Sequence, residues 1–172
     1  PQPPPPPPPI VTYDFETSST AGLTNGGGDP PYAFTRTSGG TDSSGTGPSS
    51  GFGGSGSYFF FAETSSPRSS GDLFKMTFDS ACTAGSVVTT VDLKYHMYGA
   101  TMGELRIVDA ANQTRWSRSG DQGDSWQSVS VDIYSASFSI EYVRGSDYTG
   151  DAAFDQVVVY CGHAPLPSPP MP

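Results

Sequence analysis

VVTTVDLKYHMYG (Val87–Gly99) alternates with a period of two: Val91, Leu93, Tyr95 and Met97 fall on one face, and Asp92, Lys94, His96 and Tyr98 on the other. That periodicity is the mark of a strand with one buried and one wet face, as in antiparallel sheets. SWQSVSVDIY (Ser125–Tyr134) and SFSIEYVRG (Ser137–Gly145) repeat the pattern through Val129, Val131, Ile133 and through Phe138, Ile140, Tyr142. YFFFAE (Tyr58–Glu63), LFKMTF (Leu73–Phe78), ELRIVDA (Glu104–Ala110) and AFDQVVVYC (Ala153–Cys161) add further strands, and Ile10 to Glu16 reads as the first. No segment has a convincing helical period. Eight or more strands divided by turn residues predict an all-β chain folded as a two-sheet sandwich. Residues 17–57 are rich in glycine, serine and threonine, with single aromatics at Tyr32, Phe34 and Phe52, and read as long loops pinned to the core.

The sandwich is bracketed by proline. Pro3 to Pro9 are seven consecutive prolines, and the tail from His163 returns to Pro-Leu-Pro-Ser-Pro-Pro. Proline fixes φ and lacks a backbone donor, so such a run builds neither helix nor sheet interior. It predicts a polyproline II rod about 20 Å long at one end and a second such segment at the other. The organisation expected is therefore a rod over 1–9, a sandwich over 10–162 and a proline-rich tail over 163–172. With 172 residues, the chain can bury one substantial core. Its net charge of −9 argues against a nucleic-acid partner and against anionic membrane surfaces. No apolar stretch is long enough to span a bilayer. Opening on Pro-Gln, the chain reads as a mature product or a fragment. Two cysteines, Cys82 and Cys161, read as one disulfide closing a loop of about 80 residues, with two buried thiols as the alternative.

Four stretches, in order, resemble a MAM domain, the extracellular module named from meprins and receptor tyrosine phosphatases. They are YDFET (Tyr13–Thr17), GTGP with YFFFAETS (Gly45–Pro48, Tyr58–Ser65), YHMYGATMGEL (Tyr95–Leu105), and GDQGDSW with YTGDAAFDQVVV (Gly120–Trp126, Tyr148–Val159). The resemblance covers Ile10 to Gly162. It implies a jelly-roll sandwich of two antiparallel sheets, outside the cell, acting in adhesion or assembly and not as an enzyme. The family usually has cysteine where Tyr13 and Thr90 stand, and an aspartate and histidine at Gly51 and Phe52. A Cys82–Cys161 bridge therefore resembles the family's second disulfide only approximately.

Glu16, Asp151 and Asp155 are the carboxylates that the first and last strands of a jelly roll would bring together. They are the expected ligands of a structural calcium; the alternative is that Glu16 and Asp155 accept hydrogen bonds from nearby backbone or arginine. No other cofactor is implied. Asp121 and Asp124 in GDQGDSW read as turn residues. His96 lies on the outward strand face or beneath the adjoining loop, and with His163 the only other histidine no catalytic triad can be drawn. No motif places a pair of acids for glycoside cleavage. Asn112-Gln-Thr is an acceptor for N-glycosylation. Contiguous prolines and Ser168-Pro-Pro resemble the hydroxyproline-rich glycoproteins of algal and plant matrices, implying hydroxylation and O-glycosylation at Pro3, Pro4, Pro5, Pro6, Pro7, Pro8, Pro9, Pro169 and Pro170. The alternatives for the run are a bare linker or a PxxP ligand. The function expected is a secreted structural or adhesive bead of an extracellular filament, appendage or matrix. Its partners would be copies of itself or other matrix proteins, with covalent glycans and no membrane segment in this chain. A carbohydrate-binding module, with Tyr98, Trp126, Tyr134 and Tyr148 as sugar platforms, and a receptor ectodomain are the alternatives.

Overall fold

The computed structural model describes residues 1–165 and 168–171; residues 166, 167 and 172 of the proline-rich tail lie outside the described residues. Eleven strands follow in chain order: β1 (Ile10–Tyr13), β2 (Leu23–Asn25), β3 (Thr35–Thr37), β4 (Phe59–Phe61), β5 (Leu73–Phe78), β6 (Val87–His96), β7 (Glu104–Asp109), β8 (Thr114–Ser119), β9 (Gln127–Ser135), β10 (Phe138–Val143) and β11 (Ala153–Gly162). One sheet runs β3-β4-β11-β6-β9, with β1 also paired to β11; the other runs β2-β5-β10-β7-β8. All strand pairs are antiparallel. This is the two-sheet sandwich that the alternating segments predict.

The core lies between the sheets and is built from the periodic residues. Val91, Leu93, Tyr95 and Met97 are all buried, as are Phe138, Ile140 and Tyr142 on the facing sheet. Phe78 and Phe138 stack with centroids 4.5 Å apart. The Tyr142 hydroxyl accepts the Gly103 N–H and donates to the Gly150 carbonyl, which satisfies the one polar atom this ring carries into the core. Burial pushes its pKa up to about 12.

The first strand ends at Tyr13, three residues before Glu16, because the chain turns through Phe15 in a left-handed conformation (φ 60°). The loop-like segment 17–57 contains two short strands, β2 and β3. Asn25 joins them: its side chain accepts the Phe34 N–H and donates to the Phe34 carbonyl, each at 2.8 Å. Phe34 is buried and Tyr32 packs against the core, whereas Phe52 is 42% exposed and its ring lies outside the core, under the Lys94 ammonium.

Cys82 and Cys161 form a disulfide that ties the β5–β6 loop to the end of β11. Gly99, which ends the YHMYG stretch, has φ 151°, and a Cβ there would fall 2.1 Å from the Thr149 carbonyl oxygen. Glycine at this position lets the β6–β7 loop lie directly on the β10–β11 loop. Residues 1–9 form no strand or helix and are exposed, and Pro9 meets the sandwich through its carbonyl, which accepts the Cys161 N–H at 2.9 Å.

Candidate functional site

Strand β4 is three phenylalanines, buried without alternation. Phe60 points into the main core, while Phe59 and Phe61 point outward into a second apolar cluster with Ala153 and Trp126. The loop before β4 forms the roof, and the Trp126 indole donates to the Ser50 carbonyl at 3.1 Å. His96 belongs to the same outward face, paired with Ala153, and is only 2% exposed. It is tucked beneath the loops, with its ring 5.4 Å from that of Trp126 and its Nε2 2.9 Å from Asp124 Oδ1. Its Nδ1 is buried without a partner, and burial lowers the imidazole pKa against the opposing pull of Asp124.

Asp121 is a turn residue that accepts the Gly123 N–H. Asp124 does more: it is the partner of the buried histidine.

The three carboxylates singled out in the sequence divide into two places. Asp155 is fully buried on the outer face of β11, where Oδ2 accepts the Phe52 N–H and Oδ1 the Gln156 N–H. Glu16 sits nearby, with Oε1 accepting from the Ser57 hydroxyl and the Tyr58 N–H. The two acids pin the strand-flanking loop from either side. Burial raises the Asp155 pKa to about 6, with Glu16 and Asp14 adding to the rise.

Asp151 is held elsewhere, in the loop before β11. Its Oδ1 accepts the Thr64 N–H at 3.0 Å and lies 2.8 Å from Thr64 Oγ1, while its own N–H donates to Thr46 Oγ1. Thr46 donates in turn to the Tyr98 carbonyl. Burial pushes the Asp151 carboxyl up to about 6 as well; its Oδ2 accepts no hydrogen bond, because the nearby Thr41 hydroxyl, which tempers the rise, donates to the Thr46 carbonyl instead.

This donor set does not fit a calcium cage, which takes six to eight oxygens. Among the described residues no three acidic, histidine or cysteine side chains are gathered for a metal. Backbone amides fill the oxygens of Asp155, and Gly51 offers no side chain beside them. Glu16 and Asp155 accept hydrogen bonds from nearby backbone N–H groups.

Asn112 is exposed in the β7–β8 hairpin, at φ 60°, with its N–H donating to the Asp109 carbonyl. The left-handed position itself favours asparagine, so the turn supplies a structural reason for this residue beside the glycan acceptor. Asp109 caps the same turn through Ala111 and Gln113, and the Gln113 N–H and Arg115 hold its pKa down.

Of the four candidate aromatic platforms Tyr134 stands apart: Tyr98 precedes Gly99 in the loop that rests on Thr149, and its ring is 6.4 Å from that of His96. Trp126 is packed against Phe59 and His96. Tyr134 ends β9 near the Val88–Ser135 pairing, whereas Tyr148 lies in the β10–β11 loop, whose Thr149 carbonyl accepts the Thr101 N–H at the opposite end. What the sequence does not single out is the open outer face of β11, β6 and β9. There Tyr160 donates to Asp92, Thr90 to Asp132, and the Lys94 ammonium to Ser128, with Phe52 beneath the lysine. The strict alternation of β6 and β9 carries that signal.

Comparison with solved structures supports the fold. The K2 cleaved adhesin domain of Lys-gingipain superposes with a TM-score of 0.51 over 87% of this chain and 98% of that one, at 12% identity. A xylanase 10B fragment of Clostridium thermocellum, CBM22-1 with GH10 and complexed with xylohexaose, superposes at 0.52 over 93% of this chain and 30% of that one, at 14% identity. At the level of sequence, MAM domain-containing glycosylphosphatidylinositol anchor protein 1 of Homo sapiens is 37% identical over 117 residues, 63% of this chain and 12% of that protein. MAM and fibronectin type III domain-containing protein 1 of Acropora millepora is 39% identical over 64 residues, 37% of this chain and 15% of that protein. The chain thus spans about an eighth of the length of the anchor proteins it matches. The MAM domain profile (meprin/A5/mu) matches residues 14–163, nearly the whole sandwich. A chain with this profile and this two-sheet architecture belongs to the MAM domain family, a non-enzymatic extracellular module of adhesion type that mediates protein–protein contacts.

Proposed function

We propose that this chain is a structural or adhesive bead of a secreted filament, appendage or matrix. The sandwich supplies specific contacts and the proline segments supply spacing. The observation that carries this reading is the exposed proline run that continues directly into β1, so that the spacer is anchored through backbone pairing to the last strand. In this setting Pro3 to Pro9, Pro169 and Pro170 are substrates for hydroxylation and short O-linked glycans, and Asn112 for an N-glycan. The partners are other copies of the chain or other matrix proteins.

The test is electron microscopy of native material, joined to mass spectrometry of its proline peptides. Regular filaments with glycosylated hydroxyproline support the reading; dispersed monomers with bare proline overturn it. A second reading, glycan binding, rests on the polar outer face around Asp92, Lys94 and Tyr160 and on the likeness to a xylanase-linked module. A glycan array with the isolated domain decides it.

A further inference from the structure

Strands β1 and β11 are antiparallel, with Ile10 opposite Tyr160, so the proline run enters the sandwich at the place where the last strand leaves it. The Cys161 N–H donates to the Pro9 carbonyl, and Pro5 to Pro9 run alongside Cys161 to His163. Between Pro5 to Pro9 on one side and Cys161 to His163 on the other lies a cleft of about 510 Å³. Pyrrolidine rings form most of its wall.

This end of the molecule is set apart by charge. All 17 acidic and all 8 basic residues lie between Asp14 and Asp155, so neither wall of the cleft carries an Asp, Glu, Lys or Arg. The neighbouring segments 80–91 and 133–140 contain none either; the nearest carboxylates, Asp92 and Asp132, lie on the outer sheet face, where they accept from Tyr160 and Thr90, and Asp92 shares a side pocket with Pro8. Elsewhere a net charge of −9 makes two copies repel one another. The proline-lined cleft, whose own walls carry no charged side chain, is where they can approach with the least of that penalty.

We propose that the cleft takes the proline run of a second copy of this chain, each copy lodging its own run in the other's cleft. The inference rests on the assembly reading above and names the contact it uses. A two-fold arrangement of this kind needs a self-complementary patch, and a run that is both wall and occupant is one. Proline has no N–H to donate, so the contact is ring against ring, with the carbonyls left facing water. The occupant must be slender, apolar and free of donors that would be stranded in the cleft, so the contact belongs to copies whose Pro5 to Pro9 are bare, and O-glycans on those prolines would block it. A footprint of two short rods falls well below the roughly 1,200 Å² of a stable interface, so a single pair associates weakly and strength comes from repetition.

Sedimentation equilibrium of the whole chain, from about 10 μM to about 1 mM, covers the range in which so small a contact associates. The expected result is a mass rising toward the dimer, at least about tenfold weaker association in Pro6→Asp/Pro8→Asp, and competition by an octaproline peptide. Both substitutions precede β1, and an unchanged near-ultraviolet spectrum establishes that the sandwich is intact. Added salt should leave association unchanged or strengthen it. Association that survives the two aspartates, or that weakens with salt, places the contact on another surface and overturns the inference while leaving the assembly reading standing. A wild-type chain that stays monomeric throughout also overturns it, and microscopy of native material then judges the assembly reading separately.

Discussion

Replacing Asp151 by asparagine isolates the energetic consequence of a buried, half-satisfied carboxylate. Its Oδ1 takes both Thr64 contacts, and its Oδ2 takes none, so the amide preserves shape and keeps the existing acceptor. What changes is charge. The folded pKa is about 6 against 3.8 for the free side chain, with burial as the main cause. A raised folded pKa means the contribution to stability is fully present below pH 3.8 and is lost as pH rises through about 6. Integrating the two titrations, the wild type should gain about 2 kcal/mol relative to Asp151→Asn on going from pH 8 to pH 4.5. The assay is urea unfolding of both proteins at the two pH values. Taking the difference of differences cancels the other groups that titrate in this interval, including Asp155 and His96. A difference that does not move with pH would falsify the buried-charge account. A difference of the opposite sign would mean that the ionised carboxylate is stabilised by a partner, and the fit of this loop to a cation would have to be reopened.

Three further outcomes follow from the same geometry. Changing both Cys82 and Cys161 to serine removes a bridge across 79 residues and should lower stability by about 4–5 kcal/mol, read as a shift of the denaturant midpoint relative to the oxidised wild type. Gly99→Ala must displace the Thr149 carbonyl, and should cost more than about 2 kcal/mol, checked by thermal unfolding; an unaltered midpoint would show that the two loops part easily. At the β7–β8 turn Asn112→Gly should be tolerated and Asn112→Ala should cost about 1 kcal/mol, because only the latter strains at φ 60°. Equal stability of the two variants would remove the turn as the reason for asparagine.

The sandwich was legible where burial alternates. LFKMTF forms β5 over its whole length, and the face assigned to Val91, Leu93, Tyr95 and Met97 is the buried one. Strands β2 and β3 were not legible, because three residues carry no period. Asn25 and the neighbouring strands specify them, and both act across distances that a local window does not see. The run of three phenylalanines in β4 did hold a readable clue: a strand buried without alternation must be covered on both faces. Which residues supply the second cover, Trp126 and His96 among them, depends on the fold.

The grouping of Glu16 with Asp155 followed from neighbouring strands. Adding Asp151 did not, since it precedes β11 and its side chain turns to Thr64. Asp124 sits in a Gly-Asp context that signals a turn, and only the folded position of His96 gives it a second role.

The chain's entry through Pro9 beside its exit through Cys161 to His163 also determines how the module answers to force. Tension between them pulls β1 and β11 apart from one end, so their hydrogen bonds open one after another, like a zipper, instead of sharing the load in shear. Peeling of β11 from its other neighbours stops almost at once, because Cys161 hands the load to Cys82. The 79-residue span between them, which includes β6 to β10, is then shielded from the pull. Only the stretch from Ile10 to Cys82 can pay out, at most about 250 Å of chain at 3.3–3.6 Å per residue. In a string of such modules each bead would be an extensible link with a covalent stop: soft at first pull, and limited in how far it yields while the disulfide stays closed.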